Sequence, residues 1–123
     1  MTRQKTILTI DDSRTMRDML RLALTEAGYN VLQAADGLEG LAVLRDLVPD
    51  AVITDINMPV LDGFGFIEKA RANARFRDMP ILVLTTESTP AMKDRARQAG
   101  ATGWITKPFD PEKLTSALLR VGA

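Results

Sequence analysis

Five side chains that could handle a charged group stand at the ends of short apolar stretches. Asp11 and Asp12 follow the first stretch, Asp55 follows the third, Thr85 closes the fourth and Lys107 follows the fifth. Three carboxylates brought together would repel one another unless a cation lay between them. Mg²⁺ suits this arrangement because it takes carboxylate and carbonyl oxygens and leaves positions for phosphate oxygens. The residue types therefore indicate metal-assisted chemistry on a phosphate group.

A metal ion, an ammonium group and a hydroxyl around one carboxylate suit phosphoryl transfer better than proton transfer. During phosphoryl transfer, charge builds up on the equatorial oxygens, where cations and hydrogen-bond donors can stabilise it. Asp55 would then be the nucleophile and would form an acyl phosphate. The composition narrows the choice further, since the chain has no cysteine for thiol chemistry and no histidine for general-base catalysis or zinc binding.

Alternating strands and helices would bring these side chains to one edge of a sheet. Short β-branched runs predict strands at residues 6–10, 30–34, 51–54, 81–85 and 103–106. Amphipathic stretches separate them, and parallel strands joined by such crossovers form a sheet covered on both faces. We therefore predict an α/β fold, a doubly wound five-stranded parallel sheet in a three-layer sandwich, with functional groups outside the carboxyl ends of the strands.

Apolar residues at helical spacing predict the five helices. Thr89-Pro90 and Asp110-Pro111 have the composition of helix starts, and Gly28 that of a helix stop. The stripes are Met16, Leu20, Ala23, Leu24 and Ala27; Leu41, Leu44 and Val48; Ile67, Ala70 and Ala74; Met92, Ala96 and Ala99; and Leu114, Ala117, Leu118 and Val121. The fourth stripe is thin and lies among charged residues, so we expect packing to hold that helix weakly.

The length and charge of the chain favour one domain without a polyanionic partner. The 123 residues match the usual size of a single domain, and 16 basic residues balance 16 acidic ones. The apolar stretch near the N-terminus, residues 7–10, is too short for a signal peptide or a membrane span. We expect one domain over residues 1–123, in the cytoplasm, without DNA binding or membrane insertion.

Each of these residues also has an ordinary structural explanation. Asp12 with Ser13 could cap the first helix, Asp55 could belong to a turn, Lys107 could be a solvated lysine and Thr85 could simply favour a strand. A cap needs only one side chain, however, so Asp11 beside Asp12 has no evident structural use. The position of Asp55 at a buried strand end, with Lys107 expected opposite, also favours a functional site.

The motifs at the strand ends together resemble receiver domains of two-component response regulators, in the CheY-like, single-domain form. They are Asp11-Asp12, Asp55-Ile56-Asn57-Met58-Pro59 with Asp62-Gly63, Leu84-Thr85-Thr86, and Gly100-Ala101 through Trp104 to Lys107-Pro108-Phe109. The resemblance covers essentially the whole chain. It implies the flavodoxin/CheY-like (βα)5 fold with strand order 2-1-3-4-5, and no attached output domain.

The resemblance implies a role for each acid. Asp55 would be the phosphoacceptor. Asp11, Asp12 and Asp55 would bind Mg²⁺ together with the backbone carbonyl of Asn57, and Mn²⁺ is an alternative ion. Asn57 and Glu87 occupy the positions that flank the phosphoryl group in the family, so both would tune hydrolysis of the acyl phosphate.

The remaining site residues are also implied by the resemblance. Thr85 would be the switch hydroxyl and Lys107 would bind the phosphoryl group, before a peptide bond to Pro108 that is a candidate for the cis form. Trp104 takes the place of the switch aromatic, which is commonly tyrosine or phenylalanine in the family. Ile56 stands where CheY often has tryptophan.

The implied function is signalling rather than enzymatic catalysis. A histidine kinase would donate the phosphoryl group, and a monomer would bind its protein target through helix four, strand five and helix five. The flagellar motor switch is a candidate target, and chemotaxis is the leading pathway. A phosphorelay intermediate or phosphate sink is the alternative. An aspartyl phosphatase would need a second acid in place of Asn57, and a flavodoxin-like cofactor carrier would need a phosphate cradle in place of Asp11-Asp12.

Overall fold

A parallel sheet organises the part of the chain that the structure, a computed structural model, describes, residues 4–123. Its five strands are β1 (Thr6–Ile10), β2 (Asn30–Ala34), β3 (Ala51–Thr54), β4 (Ile81–Thr85) and β5 (Gly103–Thr106), in the order β2-β1-β3-β4-β5. The helices are α1 (Arg14–Glu26), α2 (Gly37–Asp46), α3 (Gly63–Arg71), α4 (Pro90–Ala99) and α5 (Pro111–Arg120). The predicted strands, strand order and fold class are confirmed.

Two apolar layers hold the helices on the sheet. Successive strand residues point to opposite faces, so each buried strand contributes to both layers. One layer joins the sheet to α2, α3 and α4 and includes Leu8, Val52, Val83, Leu44, Phe66, Ile67 and Ala96. The other joins it to α1 and α5 and includes Ile7, Ile53, Leu82, Leu20, Leu24, Leu114 and Leu118. The three-layer sandwich follows from this division.

The predicted helix ends are mostly correct: Ala27 and Val121 lie one residue past α1 and α5, as C-caps, and two other apolar stripes extend further. Val48 lies beyond α2 with 43% of its surface exposed, because the chain is already extended at Leu47 before Pro49. Ala74 is exposed in a 3-10 helix (Ala74–Phe76) that follows α3 and that apolar spacing did not indicate. In both places, helical spacing of apolar residues continues past the point where the helix ends.

Helix α4 is held by few buried side chains. Of its ten residues, all of them described, Ala96 is the buried one, and Met92 and Ala99 pack partly against the same layer. Thr89 caps its N-terminus, and Gly100 ends it with a φ of 116°, a conformation that suits glycine. The expectation of weak packing is confirmed. Among the helices of residues 4–123, none combines the length and apolarity needed to cross a membrane.

Candidate functional site

Three carboxylates meet where β1 and β3 end. Ile10 pairs with Thr54 across the sheet, so the residues that follow them, Asp11 and Asp55, are neighbours. One carboxylate oxygen each from Asp11, Asp12 and Asp55 lies within 4.8 Å of the others. Asp11 is buried, with 2% of its surface exposed, whereas Asp12 faces solvent. A group of oxygens that is closed to water on one side and open on the other fits a hard divalent ion that keeps some of its waters.

Lys107 bridges the two inner carboxylates. Its Nζ lies 2.8 Å from Oδ2 of Asp11 and 2.8 Å from Oδ2 of Asp55. Burial alone would lower the pKa of Lys107, but its hydrogen bonds to Asp11 and Asp55 and their negative charges raise it above the usual value. The lysine is therefore a firmly protonated cation beside Asp55. Its backbone N–H donates to the Thr85 carbonyl, which ties the end of β5 to β4.

Backbone amides orient the two carboxylates. Oδ1 of Asp11 accepts from the Ser13 N–H at 2.9 Å, and Oδ1 of Asp55 accepts from the Ile56 N–H at 2.6 Å. The second oxygen of each acid is thereby aimed at Lys107. The interpretation that Asp11 has no structural use is wrong, because Asp11 also fixes the turn before α1. Of the predicted capping pair, Asp12 with Ser13, it is Ser13 that caps the helix, because its side chain accepts from the Met16 N–H.

Gly63 allows α3 to begin directly beside Asp55. Its N–H donates to the Ile56 carbonyl at 2.9 Å, and a Cβ built on Gly63 would lie 2.2 Å from the Asp55 carbonyl oxygen. The sequence indicated a turn here but not this close approach, which no alternation pattern reveals. Gly37 has a similar role: its φ is not positive, but a Cβ there would lie 2.5 Å from the Leu61 carbonyl oxygen.

A hydrogen bond between side chains joins the two loops next to Asp55. The Asn57 amide Nδ2 donates to Oε1 of Glu87 at 2.7 Å, on the exposed side of the site. The Thr85 side chain is 1% exposed, and its hydroxyl is 3.5 Å from the Glu87 N–H. The two residues that the resemblance places beside the phosphoryl group therefore contact each other directly.

Trp104 lies between the sheet and α4 with space around it. It pairs with Val83 in β4, and Val83 and Thr85 share a face of that strand. Its indole N–H is buried and has no hydrogen-bond partner among residues 4–123. A partly open pocket of about 260 Å³ lies beside it and is also lined by Lys93, Ala96 and Arg97 of α4. The peptide bond between Lys107 and Pro108, at the far end of β5, is cis.

Replacing Asp12 with alanine is expected to weaken Mg²⁺ binding and to raise stability slightly without metal. The variant removes one of three close negative charges, but Asp12 is exposed, so we expect a gain of about 0.5 kcal/mol or less in metal-free buffer. Thermal unfolding with chelator and with Mg²⁺ measures both effects. A loss of stability in metal-free buffer would contradict a crowded acidic site.

Comparison with known proteins identifies similar chains. The family model described as response regulator receiver domain matches residues 7–119. Chemotaxis protein CheY1 of Helicobacter pylori is 39% identical over 114 residues, covering 91% of this chain and 92% of that protein. Sensor histidine kinase CheAY of the same species is 39% identical over 116 residues. That match covers 93% of this chain but only 14% of the kinase. The crystal structure of Vibrio cholerae chemotaxis protein CheY4 has a TM-score of 0.93 at 44% identity, covering 97% and 99% of the two chains.

Proposed function

This chain belongs to the response regulator receiver domain family, and from that premise we propose that it is a phosphorylation-activated signalling domain. Asp55 accepts a phosphoryl group, and the surface formed by α4, β5 and α5 carries the signal to a protein target. One observation carries this proposal: Lys107 contacts both Asp11 and Asp55, which belong to the cluster of three carboxylates. We further propose that residues 1–123 act as one receiver domain.

The site residues divide the work of phosphoryl transfer. A carboxylate oxygen of Asp55 attacks phosphorus, the bond from phosphorus to the donor breaks, and the donor leaves with the electron pair of that bond, taking up a proton from water where the donor atom is a histidine nitrogen. Lys107 then contacts a phosphoryl oxygen, and the buried Thr85 hydroxyl donates to another. The carboxylates of Asp11, Asp12 and Asp55 would hold Mg²⁺, as would the Asn57 backbone carbonyl, and the ion would supply charge neutralisation at the phosphoryl oxygens.

Incubation with acetyl phosphate and Mg²⁺, followed by intact mass measurement, tests the proposal. The protein should gain one phosphoryl group, and chelation of the metal should prevent the gain. A chain that gains no phosphoryl group from acetyl phosphate or from a phosphorylated histidine kinase would contradict the proposed function. If the protein gained the phosphoryl group equally well in the presence of chelator, the proposed metal-binding role of the acidic cluster would be contradicted.

The acyl phosphate is expected to be short-lived, because polar side chains leave its phosphorus open to water. Asn57 and Glu87 can each hydrogen-bond a water at the exposed side of the site. Replacing both with bulky apolar residues, for example Asn57→Met and Glu87→Leu, should slow hydrolysis by about 10-fold or more, the range of one positioned polar group. Decay of the phosphorylated fraction, followed by mass, measures the rate. An unchanged rate would show that access of water to this side does not set the lifetime.

Thr85→Ala is expected to separate phosphorylation from output. In the proposed switch, the Thr85 hydroxyl moves toward the phosphoryl group, Trp104 repacks into the space left behind, and α4 shifts. Without the hydroxyl, Asp55 should still be phosphorylated at a rate within about threefold of the wild type, because the metal and Lys107 remain. The change in Trp104 emission on phosphorylation should be largely lost. Trp104 is the only tryptophan, so its emission reports this step, and an undiminished response would contradict the role of Thr85.

We propose a histidine kinase as the phosphodonor and a protein target bound through α4, β5 and α5. Chemotaxis, with the flagellar motor switch as a candidate target, is the pathway that the names of the similar CheY proteins favour. Target binding with and without phosphorylation separates this function from a phosphorelay intermediate or phosphate sink. A phosphorylated protein that binds motor components no more tightly than the unphosphorylated one would favour the relay or the sink.

A further inference from the structure

Arg71, the last residue of α3, connects α3 to the C-terminal end of α4. Its Nε donates to the Gly100 carbonyl at 2.9 Å, and one terminal nitrogen donates to the Phe76 carbonyl at 2.6 Å and the Arg77 carbonyl at 3.3 Å. The other terminal nitrogen lies 3.4 Å from the Thr102 hydroxyl. The planar guanidinium thus spans the 3-10 helix, the end of α4 and the segment before β5, which a lysine could not do.

The segment that Arg71 contacts is itself fixed to the sheet. The Thr102 N–H donates to the Ile81 carbonyl at 2.7 Å, and the Thr102 hydroxyl accepts from the Ile81 N–H at 3.0 Å. Gly100 packs closely on Arg71, since a Cβ there would lie 2.6 Å from Cγ of Arg71. Ile81 begins β4, so this network lies at the amino ends of the strands, whereas Asp55 lies at their carboxyl ends. The C-terminal end of α4 is therefore held by both hydrogen bonds and close packing.

The N-terminal end of α4 has fewer hydrogen bonds to other elements, although Met92 packs partly against the apolar layer there. The loop before it is joined to the site by the exposed hydrogen bond between Asn57 and Glu87. Farther along the helix, the Arg95 guanidinium lies over the Phe64 ring at 4.1 Å from its centre, and Ala96 is buried. The two ends of the helix thus differ in how firmly they are held.

We infer that Arg71 is a positioning residue that fixes the C-terminal end of α4, so that the helix moves at its N-terminal end about a pivot at Gly100. The second half of this inference rests on the proposed function, because phosphorylation of Asp55 supplies the displacement. A rotation of about 10° at Gly100 would move the other end of a helix about 15 Å long by roughly 2.6 Å. Lys93, which lines the open pocket beside Trp104, would move with it, while the start of β5 would stay in place.

Amide hydrogen exchange in the unphosphorylated protein tests the pivot independently of phosphoryl chemistry. In the wild type, the Gly100 and Ala101 amides should exchange about tenfold more slowly than those of Lys93 and Asp94, because opening at the C-terminal end breaks hydrogen bonds to a charged group. Arg71→Gln should remove most of this difference without changing exchange in β3. The variant Lys69→Gln, which changes an exposed cation two residues earlier, is the control and should behave like the wild type.

A second arm adds beryllofluoride, a phosphoryl mimic. In the wild type the exchange rates should change in residues 86–93 and not in residues 97–102, whereas in Arg71→Gln the change should extend through residue 102. If Arg71→Gln fails to fold, Arg71→Lys, which keeps the charge but not the planar fork, should show the same trend less strongly. Equal exchange at both ends of α4 in the untreated wild type would overturn the inference. Failure of beryllofluoride to bind would count against the proposed function, and the untreated arm would still decide on Arg71.

Discussion

Asp55→Asn is expected to remain folded and to accept no phosphoryl group from acetyl phosphate. In the wild type, Oδ1 of Asp55 accepts from the Ile56 N–H and Oδ2 accepts from Lys107, and the single amide oxygen of asparagine can keep one of these two hydrogen bonds. The amide is not a nucleophile, however, so the acyl phosphate cannot form. Because one negative charge also leaves the acidic cluster, we expect stability within about 1 kcal/mol of the wild type in metal-free buffer.

The control for this variant is Asp18→Asn, which removes an exposed acid on α1 away from the three-carboxylate cluster. It should be phosphorylated as rapidly as the wild type. Intact mass after incubation with acetyl phosphate and Mg²⁺ gives the result for both variants. A mass gain in Asp55→Asn equal to that of the wild type would show that another residue is the phosphoacceptor.

Lys107→Met is expected to destabilise the metal-free protein and to impair phosphorylation and signalling. The substitution leaves Asp11, Asp12 and Asp55 close together without their cation. Loss of one partner from a fully buried ion pair costs about 3–5 kcal/mol; because both Lys107 and Asp55 keep some contact with water, we expect about 1–3 kcal/mol. Mg²⁺ should restore more stability to the variant than to the wild type, since it replaces the missing charge.

The pH dependence of stability gives this prediction a second measurement. The folded protein raises the pKa of Lys107, so the stabilisation by its charge is complete below the pKa of the unfolded chain, about 10.4, and is lost as pH rises through the higher pKa of the folded state. The variant should lack this loss at alkaline pH. Lys113→Met, at an exposed position of α5, is the control. Equal stability of Lys107→Met and Lys113→Met in chelator at neutral pH would contradict the geometry of the site.

The strands and the residues at their ends could be predicted from the sequence because parallel strands in α/β folds are short, apolar and regularly spaced. Asp11, Asp55 and Lys107 each follow such a stretch, so their meeting follows from the topology once β1 lies beside β3. Alternation alone does not fix that strand order. The predicted strand order came from the resemblance to receiver domains, and the observed fold confirms that order.

The features that the sequence did not reveal depend on contacts between distant segments. The close approach of Gly63 to the Asp55 carbonyl, the contacts of Arg71 with Gly100, and the hydrogen bond between Asn57 and Glu87 link separate loops and helices. Local propensity and periodicity contain no information about such pairs. The exposed Val60, with a φ of 70° in the loop after β3, was missed for a different reason, since a β-branched residue is unexpected in that conformation.

Phosphorylation of Asp55 is expected to change the surface formed by α4, β5 and α5. The emission of Trp104, titrated with beryllofluoride in the presence of Mg²⁺, tests it most directly, with occupancy measured in the same samples by fluorine NMR. We predict a saturable change in emission that follows occupancy in the wild type, is absent in Asp55→Asn and is largely lost in Thr85→Ala at full occupancy. Unchanged emission in a fully occupied wild-type protein would contradict the account and would favour a phosphate sink.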